Sequence, residues 1–220
     1  QVARDFACAF AGLLRGGATV VLARDTRPSG PALAAAATDG LLACGVNVVD
    51  LGVVTTPGAA LMTKTLAADG GLVITASHNP AEYNGIKFLQ ADGPALTAEH
   101  ARRLEQAWRG GRSRSADARG QGASRTDDST HARHVEAVCG LVNIDAIAHK
   151  GFRVVLDSVN GAGCTVTPML LQRLGCELVH LNGDPERHGE IAVEGYYETG
   201  TIDQAMLGTE IEVETVLGES

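Results

Sequence analysis

The sequence predicts an α/β protein built from three-layer α/β/α domains with mostly parallel mixed sheets. Two observations carry this expectation. Short apolar runs alternate with stretches of helical periodicity, which is the grammar of βαβ units. Aromatic residues make up only 4% of the chain while Ala, Gly, Val and Leu abound, and small or branched side chains let helices lie close on a buried sheet. The 220 residues accommodate two such domains, read as 1–128 and 129–220.

The elements follow in order. Val2 to Leu14 reads as a helix stopped by Gly16-Gly17, and Thr19 to Leu22 as a buried strand. Pro31 to Cys44 reads as a helix, opened near Ser29 or Gly30 and closed by Gly45. Val46 to Leu51 is the next strand, and Thr56-Pro57 opens a helix to about Ala68. Gly71 to Thr75 and Ile86 to Leu89 read as strands; Thr97 caps a helix that reaches Trp108, a residue expected to pack. Residues 110 to 130 are polar and rich in Gly, Ser and Arg, the signature of a linker or long exposed loop; Arg112, Arg114, Arg119 and Arg125 read as solvated. Beyond it lie a helix from Thr130 to Val142, a strand from Phe152 to Asp157, a tight turn at Asn160–Gly163, a helix from Val166 to Leu174 and a strand from Glu177 to Leu181. Residues 191 to 200 are mixed, and Thr209 to Val216 alternates apolar and charged residues as an exposed strand does.

Composition excludes several classes. A formal charge of -8 disfavours generic binding to nucleic acid or to an anionic membrane surface. No apolar run approaches the roughly 20 residues that cross a bilayer. The five cysteines are odd in number and lack any C-x-x-C pair, so they read as reduced, mostly buried thiols of a cytoplasmic protein. The chain starts without Met inside a helical pattern, which reads as a missing start.

Sheets of this kind place ligands at the carboxyl ends of their strands, which brings forward the loops after Leu22, Leu51 and Thr75. The last is the richest chemically. A buried strand runs into Thr75-Ala76-Ser77-His78-Asn79-Pro80, and Pro80 stops a helix from starting at once. Asn84-Gly85 marks a turn, and Lys87 returns on a short strand. A serine hydroxyl needs a base or a charge-stabilising neighbour to act as a nucleophile. His78 and Lys87 are the groups of this segment able to move a proton or neutralise a phosphate. Read alone, the same residues also describe a capped turn with an exposed histidine.

Thr75–Pro80 with Asn84-Gly85-x-Lys87 resembles the active-site signature of the alpha-D-phosphohexomutases, the family of phosphoglucomutase, phosphomannomutase and phosphoglucosamine mutase. Further segments are similar: Arg24-Asp25-Thr26-Arg27-Pro28-Ser29-Gly30, Gly52–Pro57, and Asp157–Gly163 as the opening of a second domain. The resemblance spans roughly residues 1 to 185. It implies an intramolecular phosphotransferase in which Ser77 carries a phosphoryl group and exchanges it with a hexose phosphate through a hexose 1,6-bisphosphate. His78 and Lys87 would assist as catalytic residues. Asn79, Arg24 and Arg27 would support loop or substrate, and the two arginines read foremost as structural ties between loops or to subunit surfaces. Mg²⁺ would bind the Ser77 phosphate together with three aspartates.

The family's Asp-Gly-Asp-x-Asp-Arg metal loop does not occur in this sequence, and Asn182-Gly183-Asp184 does not replace it. The loops of later domains that choose the sugar and grip its phosphate are missing too. No turnover is therefore expected from these 220 residues alone, and the substrate is expected to be a hexose phosphate of undetermined identity, with a slight preference for phosphoglucosamine mutase drawn from Asn84–Phe88. A non-catalytic homologue that binds sugar phosphates is the rival reading. A serine hydrolase is disfavoured because Ser77 lacks the G-x-S-x-G elbow. The glycines at 161 and 163 read as a strand–helix turn, since their spacing matches no nucleotide-binding fingerprint. His131, His134, His149, His180 and His188 form no ligand pattern. The oligomeric state is left open.

Overall fold

The computed structural model describes residues 1–111 and 122–187, and the backbone of Glu212–Glu214. Arg112, Arg114, Arg119, His188 and the segment 191–200 lie outside the described residues. The chain forms two compact units. The first comprises Gln1–Asp25, Ser29–Ala76 and Asn84–Asp128. The second, among the described residues, comprises Thr26–Pro28, Ser77–Tyr83, residues 129–187 and the strand at 212–214.

The first unit contains α1 (Val2–Ala11), β1 (Thr19–Arg24), α2 (Gly30–Ala43), β2 (Asn47–Val53), α3 (Thr56–Thr65), β3 (Gly70–Ile74), β4 (Ile86–Leu89), α4 (Ala98–Arg109) and β5 (Ser124–Thr126). Its sheet has the order β4-β3-β1-β2-β5. β1 lies parallel to both β2 and β3, β5 is parallel to β2, and β4 is antiparallel to β3. The sheet is thus mixed and mostly parallel.

Strand alternation sorts the core into two layers. Val20 and Leu22 of β1 pack with Leu72 and Ile74 of β3 against α1, α2 and Leu104 of α4. Val21, Ala23 and Val73 face the other way, against Ala59 and Met62 of α3. Small residues permit this closeness. A Cβ on Gly40 of α2 would come within 2.7 Å of the Arg4 carbonyl oxygen on α1. Trp108 stacks on Phe6 with ring centroids 4.4 Å apart, which ties the end of α4 to α1.

Caps fall where the sequence places them. Thr55 and Thr97 accept from the N–H groups of Gly58 and His100, and Gly45 takes φ +72 just past α2. Two boundaries are corrected by shortening: the first helix ends at Ala11, and α3 ends at Thr65. The expected linker is also corrected, because Ser124–Thr126 forms an edge strand beside β2. Arg125 there pairs with Asp127 at 3.4 Å.

The second unit contains α5 (Thr130–Cys139), α6 (Ile144–Ala148), β6 (Arg153–Asp157), α7 (Val166–Arg173), β7 (Glu177–Leu181) and β8 (Glu212–Glu214). β6 is central, parallel to β7 and antiparallel to β8. α5 packs on α7. The expected helix from Thr130 to Val142 is split: α5 stops at Gly140, and α6 begins after Asn143, whose side chain accepts from the Ala146 N–H. Cys8, Cys44 and Cys164 are buried, Cys139 and Cys176 partly so, and all five are free thiols. No helix among the described residues is long and apolar enough to cross a membrane.

Candidate functional site

Residues 75 to 87 begin on the carboxyl end of β3, whose five residues are all buried. In the first unit the stem is closed by backbone. The Thr75 N–H donates to the Gly85 carbonyl at 3.0 Å, and the Asp25 N–H donates to the Ile74 carbonyl at 3.0 Å. Asn84 completes the stem: its Nδ2 donates to Ser29 Oγ at 2.9 Å and its Oδ1 accepts from the Gly85 N–H at 2.8 Å. This is the local reason for Asn-Gly at 84 and 85, since the side-chain amide does the work of a turn. The hydroxyl of Ser29 serves this loop; it makes no side-chain cap to α2.

Lys87 stands exposed on β4, opposite Val73 in the antiparallel register. Arg24, at the end of β1, is half-buried and donates from Nη1 to the Asp25 carbonyl at 3.2 Å. It is a local brace beside Gly30.

In the second unit, Ser77, His78, Asn79 and Pro80 are all exposed. Ser77 has φ +60, the left-handed conformation that costs an L-residue other than Gly roughly 1–2 kcal/mol. Such outliers persist only where their surroundings hold them. The holder is Arg27, 2% exposed. Its guanidinium donates to the carbonyls of Ser77 (2.9 Å), Asn79 (2.7 Å), Pro80 (2.7 Å) and Tyr83 (3.0 Å). Thus the structure brings Arg27 together with the backbone of Ser77 and Asn79, and places Arg24 in a separate, local role.

A second cluster gathers on the carboxyl side of β6 and β7. Val159 and Asn160 both have positive φ (+43 and +55). Asp157 accepts from the Val159 N–H at 2.9 Å and from Asn182 Nδ2 at 3.0 Å. The Asn160 N–H donates to the Asn182 carbonyl at 2.6 Å, and its Oδ1 accepts from the Asp184 N–H at 3.2 Å. Ser158, 4% exposed, shares a hydrogen bond with His180 Nε2 at 2.8 Å. The Cys164 thiol is pushed up to about 11, chiefly by burial.

Sequence reasoning read this region as a plain strand–helix turn and missed the Ser158–His180 pair. The available signal was the position of both residues at the ends of adjacent parallel strands. Burial pushes His134 below its ordinary range. Among the described residues no group of three or more His, Cys, Asp or Glu side chains is arranged to hold a metal ion.

Comparison with known proteins bears on residues 1–115, which match the family model for phosphoglucomutase/phosphomannomutase, alpha/beta/alpha domain I. A probable phosphoglucosamine mutase of Methanopyrus kandleri is 43% identical over 175 residues, which cover 79% of this chain and 37% of that protein. A phosphoglucosamine mutase of Symbiobacterium thermophilum is 42% identical over 166 residues, covering 76% of this chain and 37% of its own. Among solved structures, a phosphomannomutase from Thermus thermophilus aligns with TM-score 0.75 at 29% identity, over 94% of this chain and 47% of that one. A phosphoglucomutase/phosphomannomutase family protein from Burkholderia thailandensis aligns with TM-score 0.71 at 33% identity, over 86% and 42%. The chain therefore spans less than half the length of these relatives.

Proposed function

Because the chain belongs to the phosphoglucomutase/phosphomannomutase family, we propose that it is the phosphoryl-carrying part of a phosphohexomutase, which interconverts hexose 1-phosphate and hexose 6-phosphate. One observation carries the reading. Ser77 stands exposed in a left-handed conformation within the family's signature segment, on a loop whose carbonyls are clamped by a buried arginine. Phosphoryl transfer asks for positioning and charge neutralisation rather than elaborate covalent chemistry, and a pinned serine supplies the first.

In the forward step the P–Oγ bond of phosphorylated Ser77 breaks and a P–O bond forms to the free hydroxyl of the sugar phosphate. The hydroxyl's proton passes to a base, for which His78 and Lys87 are the candidates. The bisphosphate then returns its other phosphoryl group to Ser77 Oγ. An exposed His78 is accessible for proton transfer, and an exposed Lys87 for neutralising phosphoryl oxygens.

Magnesium is part of the proposal as a neutraliser of the phosphate on Ser77. The described residues do not form its site, since the aspartate loop is not in this sequence and no cluster replaces it. No step is routed through it. The names of the relatives favour a hexosamine phosphate as substrate.

The test is intact-mass and peptide analysis of the full gene product after exposure to glucose 1,6-bisphosphate. One phosphoryl group on Ser77, lost with turnover in Ser77→Ala, is expected. Full activity in Ser77→Ala refutes the reading. Sugar phosphate binding without any phosphoserine favours a non-catalytic homologue.

A further inference from the structure

The four hydrogen bonds of Arg27 fix more than the position of a loop. The two terminal nitrogens of a guanidinium carry four N–H bonds. Four carbonyls accept them, two on each nitrogen, and all come from the single segment Ser77–Tyr83. Donors and acceptors match one for one.

A trans peptide unit points its C=O and N–H in opposite directions, and no described peptide is cis. Drawing the Ser77 and Pro80 carbonyls onto Arg27 therefore turns the N–H groups of His78 and Ala81 away from it. The Asn79 carbonyl is followed by Pro80, which has no N–H to orient. The left-handed turn at Ser77 is the kind of backbone kink from which concave N–H receptors for anions are made. One face of the segment thus collects carbonyls and the opposite face collects amide hydrogens.

We propose that Arg27 is a positioning residue that sets the polarity of this loop, so that the His78 and Ala81 N–H groups receive the phosphoryl oxygens carried by Ser77. The proposal rests on the phosphoserine reading above. It also explains why an arginine is used: lysine offers three donors from one point and leaves at least one carbonyl unserved.

The experiment compares the full gene product with its R27K and R27A variants, by amide hydrogen exchange, phosphorus NMR titration and steady-state kinetics. In the unmodified protein, phosphorylation of Ser77 slows exchange at His78 and Ala81 by about tenfold or more, and the second ionisation of the phosphate lies below its ordinary value of about 6. In R27K the protection is lost, the ionisation returns toward that value, and kcat falls by about a hundredfold with little change in KM. Added guanidinium restores part of the rate in R27A and leaves the parent unchanged.

An R27K protein that keeps the phosphorylation-dependent protection and kcat, whatever its melting temperature, overturns the proposal. If neither variant folds, the parent alone decides, since a phosphorylated Ser77 without slowed His78 and Ala81 amides is equally fatal. A parent that never takes phosphate on Ser77 overturns the phosphoserine reading and this proposal with it. A phosphorylated parent with an unaffected R27K overturns this one alone.

Discussion

The Ser77 loop and the Asp157–Asn160 turn are two answers to one problem. Both follow a strand of a mostly buried sheet, and both hold non-glycine residues at positive φ. At Ser77 the strain is held by one charged side chain that grips only carbonyls, and the residues at 77–80 are left exposed. At Asn160 the strain is held by the turn's own side chains, and Ser158 and Asn160 are 4% and 2% exposed. A strained turn that spends its side chains on itself is architecture. One held from behind by a distant residue keeps its side chains for something else.

Removing the Ser77 hydroxyl separates the two most sharply. Ser77→Ala is expected to eliminate mutase turnover in the full gene product while moving unfolding stability by less than about 1 kcal/mol, because the exposed Oγ is not part of the clamp. Chemical denaturation and a coupled mutase assay on the same sample check both halves. A large loss of stability would make Ser77 structural, like its counterpart.

Asn160→Ala is the converse. It removes the acceptor for the Asp184 N–H inside a buried turn and leaves Ala at φ +55, where Asn is better tolerated. A loss of about 2–3 kcal/mol is expected from these combined causes. A change under about 0.5 kcal/mol, within the range of ordinary surface substitutions, would remove the contrast.

Ser77→Gly sharpens the comparison further. Glycine takes φ +60 without a Cβ penalty, so the variant is expected to gain about 1 kcal/mol in denaturant unfolding while losing all turnover. A gain in stability at the cost of function is the mark of strain kept for activity. A neutral or lower midpoint would mean that the φ of Ser77 stores nothing.

Most of the fold was legible because its signals are local. The apolar runs of β1 and β3, the caps at Thr55 and Thr97 and the Gly45 stop each act within a few residues. β5 was not legible: Ser124, Arg125 and Thr126 are exposed polar residues on an edge, with no apolar alternation to report the pairing. α6 was missed because five residues are too few for periodicity to speak, although Asn143 was an N-cap in plain view. The residues of the Ser77 loop were legible as a motif, but the clamp was not. Backbone carbonyls have no letter in a sequence, and Arg27 lies 50 or more positions from every one it binds.

The smallest expected effect concerns the other end of the sheet, where β1 and β3 begin, and serves as a control for both turns. Asp69 accepts from Arg15 Nε at 2.5 Å and from the Thr19 N–H at 2.9 Å. Partial burial works against its charge, but these bonds and the arginine's field outweigh it and hold the carboxyl below its ordinary value. A carboxyl lowered in the folded state stabilises the fold fully at pH values above its unfolded range of about 3.9. That contribution falls away as pH drops past this range and through the lower folded value. Arg15 is mostly exposed, so solvent screens the pair and the effect is small. Asp69→Asn is therefore expected to lower the melting temperature by about 1–3 °C at neutral pH and by less as the solution is acidified toward pH 3. Phosphate uptake at Ser77 should be unchanged at neutral pH. A variant whose deficit grows on acidification would reverse the sign of the linkage, and one that also lost phosphate would show that the Ser77 loop depends on more of the sheet than its own stem and clamp.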